Sequence, residues 1–155
     1  MNNLKISSIK STFLSRLDTL ESLIDFGSKH FEGDPESILD KRLVSDMLPF
    51  GTQVVFTCNQ PHNFFLWCEG KNPSNIDPDI KTTSDAKEII YQVKHNLNTL
   101  SIESSSFKNS KFEETTTLEL GGDMYLELSG TEYLDDFLIP NFYFHLVTAY
   151  DILRM

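Results

Sequence analysis

The sequence predicts a mainly α domain, a four-helix bundle with one β-hairpin before the last helix. Three observations carry this. Long stretches repeat apolar residues at steps of three and four, the spacing of one helix face. One short stretch, "TLELGGDMYLEL", alternates apolar and polar residues around a Gly-Gly pair. Clusters of turn formers, such as "GDP" at 33–35 and "EGKNPSNIDPD" at 69–79, separate the periodic stretches.

The first helix follows "ISS" and runs to about Phe31. Ile6, Ile9, Phe13, Leu17, Leu20, Ile24 and Phe31 form its core stripe, Ser7 or Ser8 can cap its start, and Gly33-Asp34-Pro35 stops it. "ESILDKRLVSDMLPF" then reads as an irregular connection, with Asp46 a candidate cap for the next helix. The second helix covers about Phe50 to Cys68, with Val54, Cys58, Pro61, Phe65 and Cys68 inward. Pro61 removes a backbone donor and crowds the preceding turn, so a kink or a split is expected there. The third helix spans about Ser84 to Leu100, capped by Thr83 or Ser84. Ala86, Ile89, Ile90, Val93, Leu97 and Leu100 make its core face. The serine-rich "SIESSSFKNS" reads as a surface turn.

In the hairpin, Leu118, Leu120, Met124, Leu126 and Leu128 share one face, expected to pack on the bundle. Glu119 and Glu127 lie on the solvated face. The last helix starts near Thr131. Its stripe is read as Leu134, Leu138, Asn141, His145, Ala149 and Ile152, which sets Asn141, His145 and Thr148 where a core should be. Pro140 breaks the helix just before them.

The 155 residues suit a single domain, 1–155. A net charge of −10 repels phosphate backbones, and Lys and Arg never cluster, so nucleic acid is not an expected partner. The N-terminal "MNNLKISSIKSTF" has no long apolar run, so no signal peptide or membrane span is expected and the cytoplasm is the default location. Cys58 and Cys68, on one helix, lie about 15 Å apart at 1.5 Å per residue, too far for a mutual disulfide. That suits a reducing compartment. The chain stops at "DILRM", where a further tail is expected to complete a pocket wall or interface.

His145 is the candidate catalytic acid or base, because an imidazole titrates near neutrality. Its plainer reading is a core histidine bonded to Asn141, Thr148 or a carbonyl. A small polar ligand pocket would be lined by Asn141, His145 and Thr148, with His62 or Gln60 opposite. Cys58 and His62, four residues apart, could hold zinc or activate a thiolate. Their plainer reading is a small core residue and a bundle-edge histidine. His30 and His95 fall outside the stripes. Phe142, Tyr143, Phe144 and Tyr150 could line a cavity. Core packing for the phenylalanines and a partner surface for the tyrosines is the simpler account. There is no G-x-S-x-G, C-x-x-C, H-E-x-x-H or phosphate-binding glycine loop.

"RLVSDMLPFGTQV", the hairpin "TLELGGDMYLELSG" and "YLDDFLIPNFYFHLVTAYDILR", in that order, resemble an uncharacterised domain-of-unknown-function family within the DinB/YfiT-like superfamily. "PNFYFH" followed by "TAY" is the most specific element. The resemblance covers nearly the whole chain. It implies an up-down-down-up bundle, a hairpin before the last helix and often a homodimer. Many members of the wider superfamily bind a divalent metal through one histidine of the second helix and a His-x-x-x-His pair of the fourth. They use it for thiol transfer or isomerisation. Here His145 matches one histidine of that pair, but Ala149 stands one turn later and Asn141 one turn earlier. The resemblance therefore implies a degenerate metal site. No cofactor is expected, and a metal-dependent thiol transferase or isomerase is the minor alternative. A small-molecule ligand and a second copy of the chain are the expected partners. A non-catalytic homodimeric binding or scaffold domain is the other reading.

Overall fold

The computed structural model describes residues 2–31, 33–101 and 109–155. The serine-rich turn expected after the third helix lies mostly outside the described residues.

Helix α1 (Asn2–His30) starts earlier than expected, so Ser7 and Ser8 lie inside it rather than capping it. Its stripe is as read: Ile6, Phe13, Leu17, Leu20 and Ile24 are all buried. After Gly33, at φ +99°, the connection is more ordered than the sequence suggested. Asp34 accepts a hydrogen bond from the Glu36 N–H and starts a short 3-10 helix, Pro35–Asp40, which buries Ile38 and Leu39.

Helix α2 (Phe50–Cys68) is one unbroken helix. Pro61 is buried within it and does not split it. Asp46 is not its cap. Pro49 occupies that position, and the first N–H, of Phe50, is taken by the carbonyl of Lys41 at 2.8 Å. The segment after α2 crosses back over the helix and is pinned by two asparagines one turn apart. Asn59 accepts from the Ile76 N–H, and Asn63 accepts from the Ser74 N–H, each at 2.8 Å. Helix α3 (Thr83–Thr99) is capped by Thr82, one residue earlier than read, in a reciprocal box with Asp85.

Strands β1 (Thr115–Gly121) and β2 (Met124–Ser129) form an antiparallel pair, with Leu118 opposite Leu126. Gly121 and Gly122 take positive φ at the turn. Only the base of the apolar face meets the bundle. Leu118 is buried and Leu128 half-buried, whereas Leu120, Met124 and Leu126 are exposed. The expectation that the whole face packs fails at the tip, where Leu120, Met124 and Leu126 stay exposed.

The last helix is continuous through three stretches: a turn at Gly130–Glu132, a π-helical stretch at Tyr133–Leu138, and α4 (Ile139–Arg154). Its cap is Ser129, boxed with Glu132, not Thr131. Pro140 does not break it. The chain meets the missing donor by widening the preceding turn, and the Ile139 N–H reaches the carbonyl of Leu134.

Cross-helix contacts fix the topology. Lys5 pairs with Asp135 and Phe13 packs on Phe142, so α1 and the last helix run parallel. Asp25 pairs with Lys87 and Asp18 with Lys94, so α1 and α3 run antiparallel. Trp67 lies against Tyr133 and Phe56 against His145, so α2 and the last helix run antiparallel. This is the up-down-down-up order.

Candidate functional site

The seam between α2 and α4 carries the polar residues singled out in the sequence. On α4 the centre of the core face is Phe142, Leu146, Ala149 and Leu153. His145 and Asn141 stand beside that line and are half-buried, and Thr148 is buried. The polar trio is thus at the edge of the core, not at its centre. Its members do not bond to one another. Asn141 donates to the carbonyl of Phe137 at 2.7 Å, and Thr148 to that of Phe144 at 2.7 Å. Both bonds stay within their own helix.

His145 alone reaches across. Its Nδ1 lies 2.8 Å from Oε1 of Gln53, which is 2 % exposed. The Gln53 side chain donates through Nε2 to the carbonyl of Leu48, 3.4 Å away, which leaves Oε1 as the acceptor toward the ring. Nδ1 therefore carries the proton, and Nε2 holds the free lone pair of the neutral imidazole. Nε2 has no hydrogen-bond partner among the described residues and is not among the fully enclosed unpaired atoms. The ring stands edge-on to Phe56 and Phe144, with centroids at 5.3 and 5.1 Å. Burial in these surroundings pushes the His145 pKa down, so the ring is neutral at pH 7.

The other expected site residues are not gathered around His145. Gln60 is buried on the same seam, level with Asn141. Its Nε2 donates to the carbonyl of Phe56 at 3.3 Å, while its Oε1 is enclosed with no hydrogen-bond partner among the described residues. His62 is half-buried with its pKa pushed down by burial. Cys58 is fully buried, and burial pushes its thiol up, opposite to the shift that activates a thiolate. The Cys68 thiol is likewise raised to about 12, by burial against a weaker lowering from Lys111. His30 is exposed, bonded to the carbonyl of Phe26 and stacked on that ring; His95 is exposed against Tyr91.

Gln53 is the residue the sequence reading missed. No local signal in the sequence marks it: only in the folded register, with Trp67 level with Tyr133, does His145 come level with Gln53 and Phe56, a turn or more away from Gln60 and His62.

A three-imidazole metal centre does not fit these residues. The position facing His145 on α2 offers an amide oxygen, and Ala149 offers no donor. Among the described residues no three His, Cys, Asp or Glu side chains converge to hold a metal ion. No helix among them is long and apolar enough to cross a membrane. A cavity of about 760 Å³ opens elsewhere, between β1 and the segment after α2. Asn63, Trp67 and Phe137 line part of it, and Gln60, His62, Asn141, His145 and Thr148 do not border it.

The family model "Domain of unknown function (DUF1993)" matches residues 7–155. No curated protein matches the chain. Among solved structures, a DinB family member protein from Shewanella denitrificans superposes with a TM-score of 0.73 at 22 % sequence identity, covering 99 % of this chain and 89 % of that one. At that identity the likeness is one of fold.

Proposed function

Since the chain belongs to the DUF1993 family of unknown function and has a DinB-like fold, we propose that its α2–α4 seam is a metal-independent site for a small polar molecule, centred on His145. The observation that carries this reading is the Gln53–His145 hydrogen bond. It fixes one tautomer and leaves Nε2 of a neutral imidazole as an acceptor with access to water. Asn141 and Thr148 extend the polar side of the seam, and Gln60 adds an amide oxygen, without a partner among the described residues, farther along it. In a reaction, Nε2 of His145 would take the proton, and Gln53 would stabilise the imidazolium by accepting from Nδ1.

Two measurements test the proposal. Elemental analysis of protein purified without chelator should give far less than one metal per chain. Thermal-shift screening against small polar metabolites should give a ligand whose stabilisation survives a chelator and disappears in His145→Ala. Stoichiometric zinc or nickel that is lost in His145→Ala would instead support the thiol-transferase or isomerase reading.

A second reading, a non-catalytic homodimeric scaffold, is favoured by the outer face of α4, where Tyr143, Val147 and Tyr150 are exposed along one side of the helix. Light scattering decides it: a monomer at all concentrations rules out the dimer.

A further inference from the structure

The cavity of about 760 Å³ has an unusual wall. All seven residues from Glu114 to Leu120 line it, and no residue of β2 does. Side chains of a strand alternate between faces, so a hollow on one face meets every second residue. The shallow hollow on the hairpin's polar face behaves this way, touching Thr117, Glu119 and Tyr125. A hollow that meets consecutive residues runs along an edge. The large cavity is therefore a slot beside the outer edge of β1, closed on its far side by the segment 70–75.

The register shows which backbone groups point into it. The Gly130 N–H donates to the Glu114 carbonyl at 3.0 Å, so this pair is hydrogen-bonded. Alternation then makes Thr116 with Leu128, and Leu118 with Leu126, the bonded pairs. The N–H and C=O groups of Thr115, Thr117 and Glu119 point away from β2 into the slot. β1 pairs with β2 alone among the described strands. Half-buried Phe137 and the Asn63–Asn75 amide pair, 3.3 Å apart, form the floor beneath that edge.

We infer that this slot is a binding site for an extended peptide segment of another protein, which adds to β1 as a third strand. Backbone groups of Thr115, Thr117 and Glu119 supply the hydrogen bonds, and Phe137 receives one apolar side chain of the guest. Five residues of strand give about 16 Å of pairing at roughly 3.3 Å per residue. The chain's charge of −10 disfavours a second copy at long range, and along the slot Lys71 and Lys111 balance Glu114 and Glu119, which suits a guest of low net charge. This inference is independent of the His145 site.

The test pans a display library of short random linear peptides on the full chain, then synthesises the enriched peptides. A saturably binding peptide of low net charge is expected. In hydrogen exchange it should slow the amides of Thr115, Thr117 and Glu119, leaving those of Thr116 and Leu118, already in the ladder, little changed. Thr117→Pro removes an outward N–H without touching the ladder, and it should weaken binding at least about tenfold. Glu127→Pro, the matching change on the far edge of β2, should leave binding intact. The exchange result on the unaltered chain stands even if a proline variant misfolds. The inference is overturned if no peptide is enriched, if protection appears away from β1, or if folded Thr117→Pro binds as well as the parent. A dimer that Thr117→Pro dissociates would also overturn it, by filling the slot with a strand of a second copy.

Discussion

Nδ1 of His145 and Oε1 of Gln53 meet at 2.8 Å across 92 residues of sequence, and this is the one side-chain hydrogen bond between α2 and α4 among the described residues. The superfamily resemblance assigns a ligand histidine to the second helix. Here an amide faces the imidazole instead, so the ring is held by a hydrogen bond in one protonation form. That distinction between a fixed tautomer and a bound metal makes the seam testable by spectroscopy without any known substrate.

Gln53→Ala should release the tautomer. With Oε1 gone, Nδ1 loses its acceptor, and the Nε2–H form, favoured in water, becomes populated. Nitrogen-15 spectra of the ring should show Nδ1–H in the parent and a mixture in the variant. The stability cost should be about 1–3 kcal/mol, because the buried side chain also gives up its bond to the Leu48 carbonyl. An unchanged Nδ1–H signal in Gln53→Ala would remove Gln53 from its positioning role.

The lowered pKa of His145 makes a signed prediction about pH. Above about pH 6.5 the ring is neutral in both folded and unfolded chains and contributes nothing. As pH falls below that value the unfolded chain takes up the proton first, so stability drops. The loss stops growing once pH passes below the folded-state pKa. Urea midpoints measured for the parent and for His145→Gln should therefore converge or cross as pH falls, with the parent losing more. Parallel curves would show that burial does not shift this group. His62 is shifted in the same direction and should behave likewise.

The helices were legible because their signal is local. Ile6 to Ile24 and Ala86 to Leu97 repeat at helical spacing, and each stripe is buried. The site was less legible for two physical reasons. The wheel carried the stripe from Leu138 to Asn141 and His145, but the core runs Leu134, Leu138, Phe142, Leu146, in four-residue steps. Those wider steps accompany the π-helical turn before Pro140, whose geometry a uniform 3.6-residue period cannot anticipate. Gln53 depended on the register of two helices far apart in sequence, which periodicity within one helix does not encode. The exposed tip of the hairpin was misread because alternation reports a face, not whether anything covers it.

Gly130 is a steric requirement rather than a flexible joint. A Cβ there would stand 2.2 Å from the carbonyl oxygen of Lys111 and 2.8 Å from the Trp67 ring. Its N–H also closes the base of the hairpin on Glu114. Gly130→Ala must push the 109–112 turn away from Trp67, and should cost about 3 kcal/mol or more. Chemical denaturation checks the figure. A near-neutral result would mean that this approach can relax freely.

Asn63 ties the segment after α2 to the helix, and that segment is also the far wall of the slot beside β1. Its Oδ1 accepts from the Ser74 N–H at 2.8 Å, and its Nδ2 donates to Asn75 at 3.3 Å. The side chain is 6 % exposed, so Asn63→Ala leaves the Ser74 amide without its acceptor and opens a small void. The expected cost is about 1–3 kcal/mol. The loss should be local: amides of Ser74 and Ile76 should exchange faster, while those of α1 and α3 keep their protection apart from the global decrease. Asn59→Ala, which frees the Ile76 amide one turn away, should loosen the same segment. If exchange rises uniformly through the bundle instead, the asparagine pair holds the helices together rather than shaping the wall of the slot.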